Sequence, residues 1–289
     1  MLRAMLLPSR GRGSGRVLNG KLNPARAQTP TFSGLRAERG VAVNVETAQV
    51  SRQGNRNDNQ DRASIVVTDT RILLAVADGM GGHIGGDVAA ETAIDALVRS
   101  FKRLRGNSIN NVNDFLKVSI ADAHEAVVQL GAELAPELRP RTTITACIVA
   151  DNVATWAHVG DSRVYFLRDQ KVFTRTRDHS AVELLVQQGL INDADVHSHP
   201  MRNFVEQCLG GEPEMPRITI NDPMELMAGD VVVLCSDGFW SPLSGEYIAK
   251  ELALHLELQT TLDILGAEAE ERASPSSDNV TAVALRWME

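Results

Sequence analysis

Apolar and polar positions alternate along the chain with two distinct periods. Ala63 to Thr68 and Ile72 to Ala77 are short β-prone runs on either side of Asp69, Thr70 and Arg71, a pattern that predicts a hairpin. Ile94, Leu97, Val98 and Phe101 then follow the i, i+3, i+4, i+7 spacing of a helix. Leu116, Ile120, Ala123, Val127 and Leu130 repeat it, so both stripes read as core faces. Thr142 to Ala150, Val153 to Val159, Arg163 to Leu167 and Lys171 to Thr174 are four strand-like runs with little between them, which calls for antiparallel pairing. Residues 180–215 interrupt this rhythm with one short helical pattern and a His/Pro-rich stretch, the mark of a flap. Strand patterns resume at Arg217 to Ile220 and Val231 to Cys235, helical ones follow within 246–272, and Val280 to Leu285 is a last strand. Strand clusters separated by paired helices predict an α+β layering rather than repeated βαβ units.

Charge is distributed unevenly along this pattern. The 289 residues carry 29 Lys and Arg against 37 Asp and Glu. Eight of the basic residues but only one acid, Glu38, fall in 1–40, which leaves 21 basic against 36 acidic side chains in the remainder. That acidic body argues against nucleic-acid or anionic-membrane binding. Residues 1–40, rich in Arg, Gly, Ser and Pro and without a sustained period, are expected to be a disordered basic extension preceding a catalytic domain at 41–289. Their Arg excess also allows an organelle address, the lesser alternative to a cytoplasmic location. With no apolar run of about 18 residues, no membrane span is expected. Cys147, Cys208 and Cys235 lack Cys-x-x-Cys spacing and read as small apolar core residues.

The candidate chemistry lies at strand ends. Leu73 to Ala77 runs into Asp78-Gly79, Val232 to Ser236 into Asp237-Gly238 and Val153 to Val159 into Gly160-Asp161, while Asp278-Asn279 precedes the last strand. Any one Asp-Gly pair could merely form a turn. If the four ends converge, their carboxylates raise one another's pKa unless a cation intervenes, and an all-oxygen set favours hard Mg2+ or Mn2+. The inference is a binuclear hydrolytic centre.

Taken in order, Gly54-Asn55-Arg56-Asn57-Asp58-Asn59-Gln60-Asp61, Asp78-Gly79-Met80-Gly81-Gly82-His83, Val159-Gly160-Asp161-Ser162-Arg163, Asp178-His179-Ser180, Ser236-Asp237-Gly238 and Asp278-Asn279 resemble the successive motifs of the metal-dependent type 2C serine/threonine protein phosphatases, in their bacterial form. The resemblance spans Val45 to Arg286 and implies a four-layer α-β-β-α sandwich with two central, mostly antiparallel sheets. It implies that Asp78 bridges two metal ions, that the Gly79 carbonyl binds one, and that Asp237 and Asp278 complete the other. By the same resemblance Asp61 orients water, Asp161 joins Asp237 at a third, weaker ion, and Arg56 grips the substrate phosphate. Three positions depart from the family pattern: Gln60 where many members carry Glu, Met80 where animal members place a histidine, and Arg141 where a glycine is common. Gln60 keeps an oxygen but no charge, so one ion should be held less tightly.

The function these features imply is hydrolysis of phosphoserine and phosphothreonine in proteins by metal-activated water. A monomer acting on phosphorylated proteins, paired with a cognate serine/threonine kinase, is expected. The alternative is a non-catalytic phosphatase-like binding module, whose expected mark is loss of metal carboxylates. A two-metal nuclease would want a basic approach, which the acidic body lacks. Cysteine-phosphatase chemistry is closed, because Val153, Glu214 and Ser241 stand six residues after the cysteines in place of an arginine.

Overall fold

The computed structural model describes residues 16–18, 31–36, 42–80, 85–104, 109, 111–192, 195–196, 199–202, 204–253 and 257–288. Two antiparallel sheets form its centre. The first runs β1 (Arg16–Leu18), β4 (Asp61–Val67), β5 (Arg71–Met80), β7 (Ile144–Ala150), β8 (Val153–Val159) and β12 (Thr219–Ile220). At its margins β6 (Arg141–Thr142) pairs with the end of β5, β11 (Leu209–Gly210) pairs with β6, and β13 (Met224–Glu225) pairs with β8. The second runs β10 (Lys171–Arg175), β9 (Arg163–Arg168), β14 (Val231–Cys235), β15 (Val280–Trp287), β3 (Ala42–Arg52) and β2 (Thr31–Arg36).

Helices α1 (Gly86–Arg103) and α2 (Val112–Leu130) cover the outer face of the first sheet. The second sheet is covered by α5 (Gly245–Leu252) and α6 (Leu258–Ala273). Both sheets are therefore buried on both faces, which is why β5 and β14 read as unbroken apolar runs rather than as alternation. Between the sheets Ile65, Leu74, Val76, Val232, Leu234 and Val283 interdigitate. Trp156 of β8 stacks on Phe166 of β9 across that interior, ring centroids 5.9 Å apart. The four layers, the hairpin and both early helices match the sequence expectation.

Three expectations need correction. The runs at 153–159 and 163–167 do not pair with each other, because β8 lies in the first sheet and β9 in the second, and the chain crosses between sheets at Gly160. The segment expected to be a disordered extension supplies backbone to both sheets: β1 pairs with β4, and β2 with β3. An edge strand needs backbone pairing on one side only, so it can form without an apolar period. The rest of 1–40 lies outside the described residues. Within 180–215, α3 (Ala181–Gln187) is the expected helix, but Leu209–Gly210 returns to the first sheet as β11 instead of staying in a flap. Cys147 and Cys235 are core residues as expected, whereas Cys208 is half-buried. Among the described residues no helix is long and apolar enough to cross a membrane.

Candidate metal centre

The carboxylates converge where strands of both sheets end. Antiparallel register sets Asp61, the first residue of β4, opposite Asp78 near the end of β5. The Asp78 backbone is held by Thr143, between β6 and β7: its N–H donates to Thr143 Oγ1 at 3.0 Å and its carbonyl accepts from the Thr143 N–H at 2.8 Å. Asp237 follows β14 and opens the short helix α4 (Asp237–Trp240), while Asp278 immediately precedes β15. Asp161 sits in the crossover from β8 to β9. Gly160 makes that crossover possible: its φ is +108°, and a Cβ there would lie 2.6 Å from Thr143 Cγ2. Gly79 is equally constrained, since a Cβ would meet the Gly86 carbonyl oxygen at 2.1 Å.

Burial and the neighbouring negative charges perturb these groups together. Burial pushes the Asp78 carboxyl well above the ordinary carboxylate range, and Asp61, Asp237, Asp161 and Asp278 each push it further. Asp61 is raised to about 7, first by burial, with Ser236 and Thr281 pulling it back and Asp237 and Asp278 adding to the rise. Burial and the Asp278 charge lift Asp237 to about 6, and its carboxyl shares a hydrogen bond with Asp78. Asp161 is raised too, by burial and then by Asp237 and Asp178. All five predicted acids are thus brought into one electrostatic unit.

The Asp61 carboxylate is oriented by a residue whose role the sequence does not disclose. Ser236 Oγ accepts from the Thr281 N–H at 3.1 Å, so its own proton is free to go to Asp61 Oδ2, 2.7 Å away. Among the described residues no hydrogen-bond partner meets the buried Asp61 Oδ1. An orphaned buried carboxylate oxygen beside four further acids fits a cation site, or a water held by one. Among the described residues no three Asp, Glu, His or Cys side chains stand close enough to grip an ion alone. A site here would therefore be completed by backbone carbonyl, such as that of Gly79, and by water, a shell that suits Mg2+ and Mn2+.

Arg56 occupies the loop before β4, exposed, with its guanidinium 2.6 Å from Asp278 Oδ2. That pairing raises the already high Arg56 pKa, so the group is a permanent cation at the rim of the acidic cluster. Gln60 is half-buried, its side-chain oxygen against Gly86 at the start of α1 and its carbonyl accepting from the Gly79 N–H at 3.2 Å. It stands beside Gly79. His83 lies outside the described residues. Arg141, for which the sequence offers no role, pairs with Met80 across β6 and β5 and packs its side chain on Gly211.

Beneath Asp161 lies a second set of residues that the sequence did not flag for this role. Trp240, at the end of α4, donates its indole N–H to the Asp161 carbonyl at 3.0 Å. The Arg163 guanidinium stacks 3.4 Å from the centre of that ring and makes a two-pronged bond to Asp178, Nε to Oδ1 at 2.9 Å and NH2 to Oδ2 at 2.7 Å. Helix α4, which carries Asp237, is thereby tied to the crossover carrying Asp161. Nothing in local sequence pattern signals this contact, since it joins residues 79 positions apart.

Comparison with known proteins points to one family. The profile of protein phosphatase 2C matches residues 48–274. The serine/threonine protein phosphatase PstP of Mycobacterium tuberculosis is 37% identical over 183 residues, covering 63% of this chain and 34% of that protein. This chain therefore spans about a third of the length of the mycobacterial relative. The serine/threonine phosphatase stp of Listeria monocytogenes is 30% identical over 231 residues, 79% of this chain and 90% of the relative. Among solved structures, the catalytic domain of PstP in complex with two manganese ions superposes with a TM-score of 0.71 at 32% identity, covering 86% of this chain and 99% of that one.

Proposed function

Because the chain belongs to the protein phosphatase 2C family, we propose that it hydrolyses phosphoserine and phosphothreonine in proteins with the help of divalent metal ions. The observation that carries this reading is the convergence of Asp61, Asp161, Asp237 and Asp278 on Asp78, a crowding of buried and half-buried negative charge that a cation would offset. Asp78, the Gly79 carbonyl, Asp237 and Asp278 would hold two ions, and Asp161 with Asp237 a third, weaker one. Mn2+ is the favoured metal because the PstP structure contains two manganese ions, and Mg2+ suits the same oxygen donors. The binding-module alternative gains no support, since all four strand-end carboxylates are retained.

When bound, such ions lower the pKa of water and offset charge on a phosphoryl group. The chain's own residues supply the rest. Asp61, oriented by Ser236, presents its unpartnered Oδ1 as an acceptor that can align an attacking water or take its proton. Arg56 offers a planar, permanently charged fork to the non-bridging phosphate oxygens. Its place beside Asp278 sets that fork at the rim of the acidic cluster. Phosphorylated proteins are the substrate class, and a serine/threonine kinase is the partner activity that would supply them.

The test is turnover of a phosphoserine and phosphothreonine peptide panel by the full chain with Mn2+ and with EDTA. Asp78→Asn and Asp237→Asn should each lower turnover by on the order of a hundredfold or more, about 3 kcal/mol of barrier, while remaining folded. Wild-type turnover by either folded variant, or activity indifferent to EDTA, would overturn the reading.

A further inference from the structure

We propose that Asn279 is a positioning residue that fastens the Arg56 loop to the strand and helix bearing Asp278 and Asp237, and so sets the affinity of the site for phosphate. The proposal rests on the reading of Arg56 as the phosphate grip. An asparagine amide has two N–H donors and an oxygen with two lone pairs. Here the amide oxygen accepts from the Gln60 N–H at 2.8 Å, and Nδ2 donates to the carbonyls of Gln53 at 2.8 Å and Asp58 at 3.0 Å. One nearly buried side chain thus holds the loop at its start, its turn and its end, more than 210 residues away in sequence.

The backbone of Asn279 engages the acidic residues as well. Its N–H donates to Asp278 Oδ1 at 2.8 Å, while Oδ2 of the same carboxylate accepts from Arg56. Its carbonyl oxygen lies so close to Gly238, the neighbour of Asp237, that a Cβ there would approach to 2.1 Å. On the loop side, Gly54 has a φ of +62° and packs against the Asp278 carbonyl, where a Cβ would also come to 2.1 Å. A second tether joins the Asn55 side chain to Ser277 Oγ at 2.7 Å. Gln53 closes the turn from within, donating to the carbonyls of Arg56 and Asn57 at 2.8 Å each.

An exposed arginine on a free loop loses conformational entropy when it grips phosphate, and a loop already ordered avoids that cost. The three amide bonds therefore act on phosphate binding through Arg56, not on phosphate directly. Loss of the clamp should weaken phosphate binding only while Arg56 is present to be positioned. A merely structural role would lower the melting temperature and affect both backgrounds alike.

The experiment measures inhibition of aryl-phosphate hydrolysis by inorganic phosphate, at saturating Mn2+, for the full chain and for Asn279→Ala, Gln53→Ala, Arg56→Ala and the two double variants with Arg56→Ala. Asn279→Ala is expected to raise the phosphate Ki about tenfold, and Gln53→Ala by a smaller factor in the same direction. In the Arg56→Ala background either change should be less than about twofold, because interacting sites are non-additive. Gln53 is exposed, so its variant carries the same test if Asn279→Ala fails to fold. Equal factors in both backgrounds, or no change in either, overturn the clamp alone. An Arg56→Ala variant with unchanged Ki sinks the reading of Arg56, and the proposal with it.

Discussion

Stripping metal from the acidic centre should make the protein's stability depend on pH in a way opposite to ordinary carboxylates. Asp61 is lifted from 3.8 to about 7 and Asp237 to about 6, in each case chiefly by burial with neighbouring acids adding to it. A raised carboxyl binds more protons folded than unfolded between those values. Its contribution is therefore full below the unfolded pKa and is lost as pH rises through the folded one. For Asp61 alone the loss totals about 4 kcal/mol, of which about 3 kcal/mol falls between pH 5 and 8. His124, His158 and His179, whose pKa values burial lowers, act in the opposite direction below pH 6.5. The informative readout is thus the gap in melting temperature between Mn2+-loaded and EDTA-treated protein, in which the histidine contributions cancel. Circular-dichroism melts should show that gap widening by about 9 °C from pH 5 to 8, at roughly 3 °C per kcal/mol for a domain of this size. A gap that stays constant or narrows with rising pH would refute the claim that these carboxylates crowd one another and bind a cation.

Three further outcomes test other parts of the structure. Gly238→Ala places a Cβ 2.1 Å from the Asn279 carbonyl oxygen; it should lower stability by about 1–3 kcal/mol and turnover with it, and a wild-type urea midpoint would show that α4 can shift freely. Arg163→Met removes the two-pronged partner of buried Asp178, leaving only Arg175 at 3.9 Å, and removes the guanidinium stacked on the Trp240 ring. A loss of about 3–5 kcal/mol is expected by urea denaturation, and one below about 1 kcal/mol would mean the pair is dispensable. Gln60→Glu adds a charge beside Gly79 and should lower the Mn2+ concentration for half-maximal activity several-fold with little change at saturation; an unchanged or higher requirement would place Gln60 outside the metal's influence.

Local pattern marks most of the elements and the candidate residues of the site. Unbroken apolar runs marked β5 and β14, the 3.6-residue stripes marked α1 and α2, and Asp-Gly pairs marked the strand ends, because each of these signals is local and set by backbone period. The ordered motifs single out Arg56, Asp61, Asp78, Asp161, Asp237 and Asp278 as candidates. How these residues meet follows from long-range packing. The turn at Gly160 sends β9 into the second sheet, though the strand patterns on either side look alike, since which sheet a strand joins depends on partners far away in sequence. The same holds for Ser236 on Asp61 and for Trp240 on the Asp161 carbonyl, bonds that span 175 and 79 residues. Asn279 gripping 53–60 belongs with them. A serine, a tryptophan and an asparagine carry no periodic signature of such roles. Their hydrogen bonds exist because strand register and the packing of two sheets bring separate chain ends within about 3 Å, a distance that no local pattern encodes.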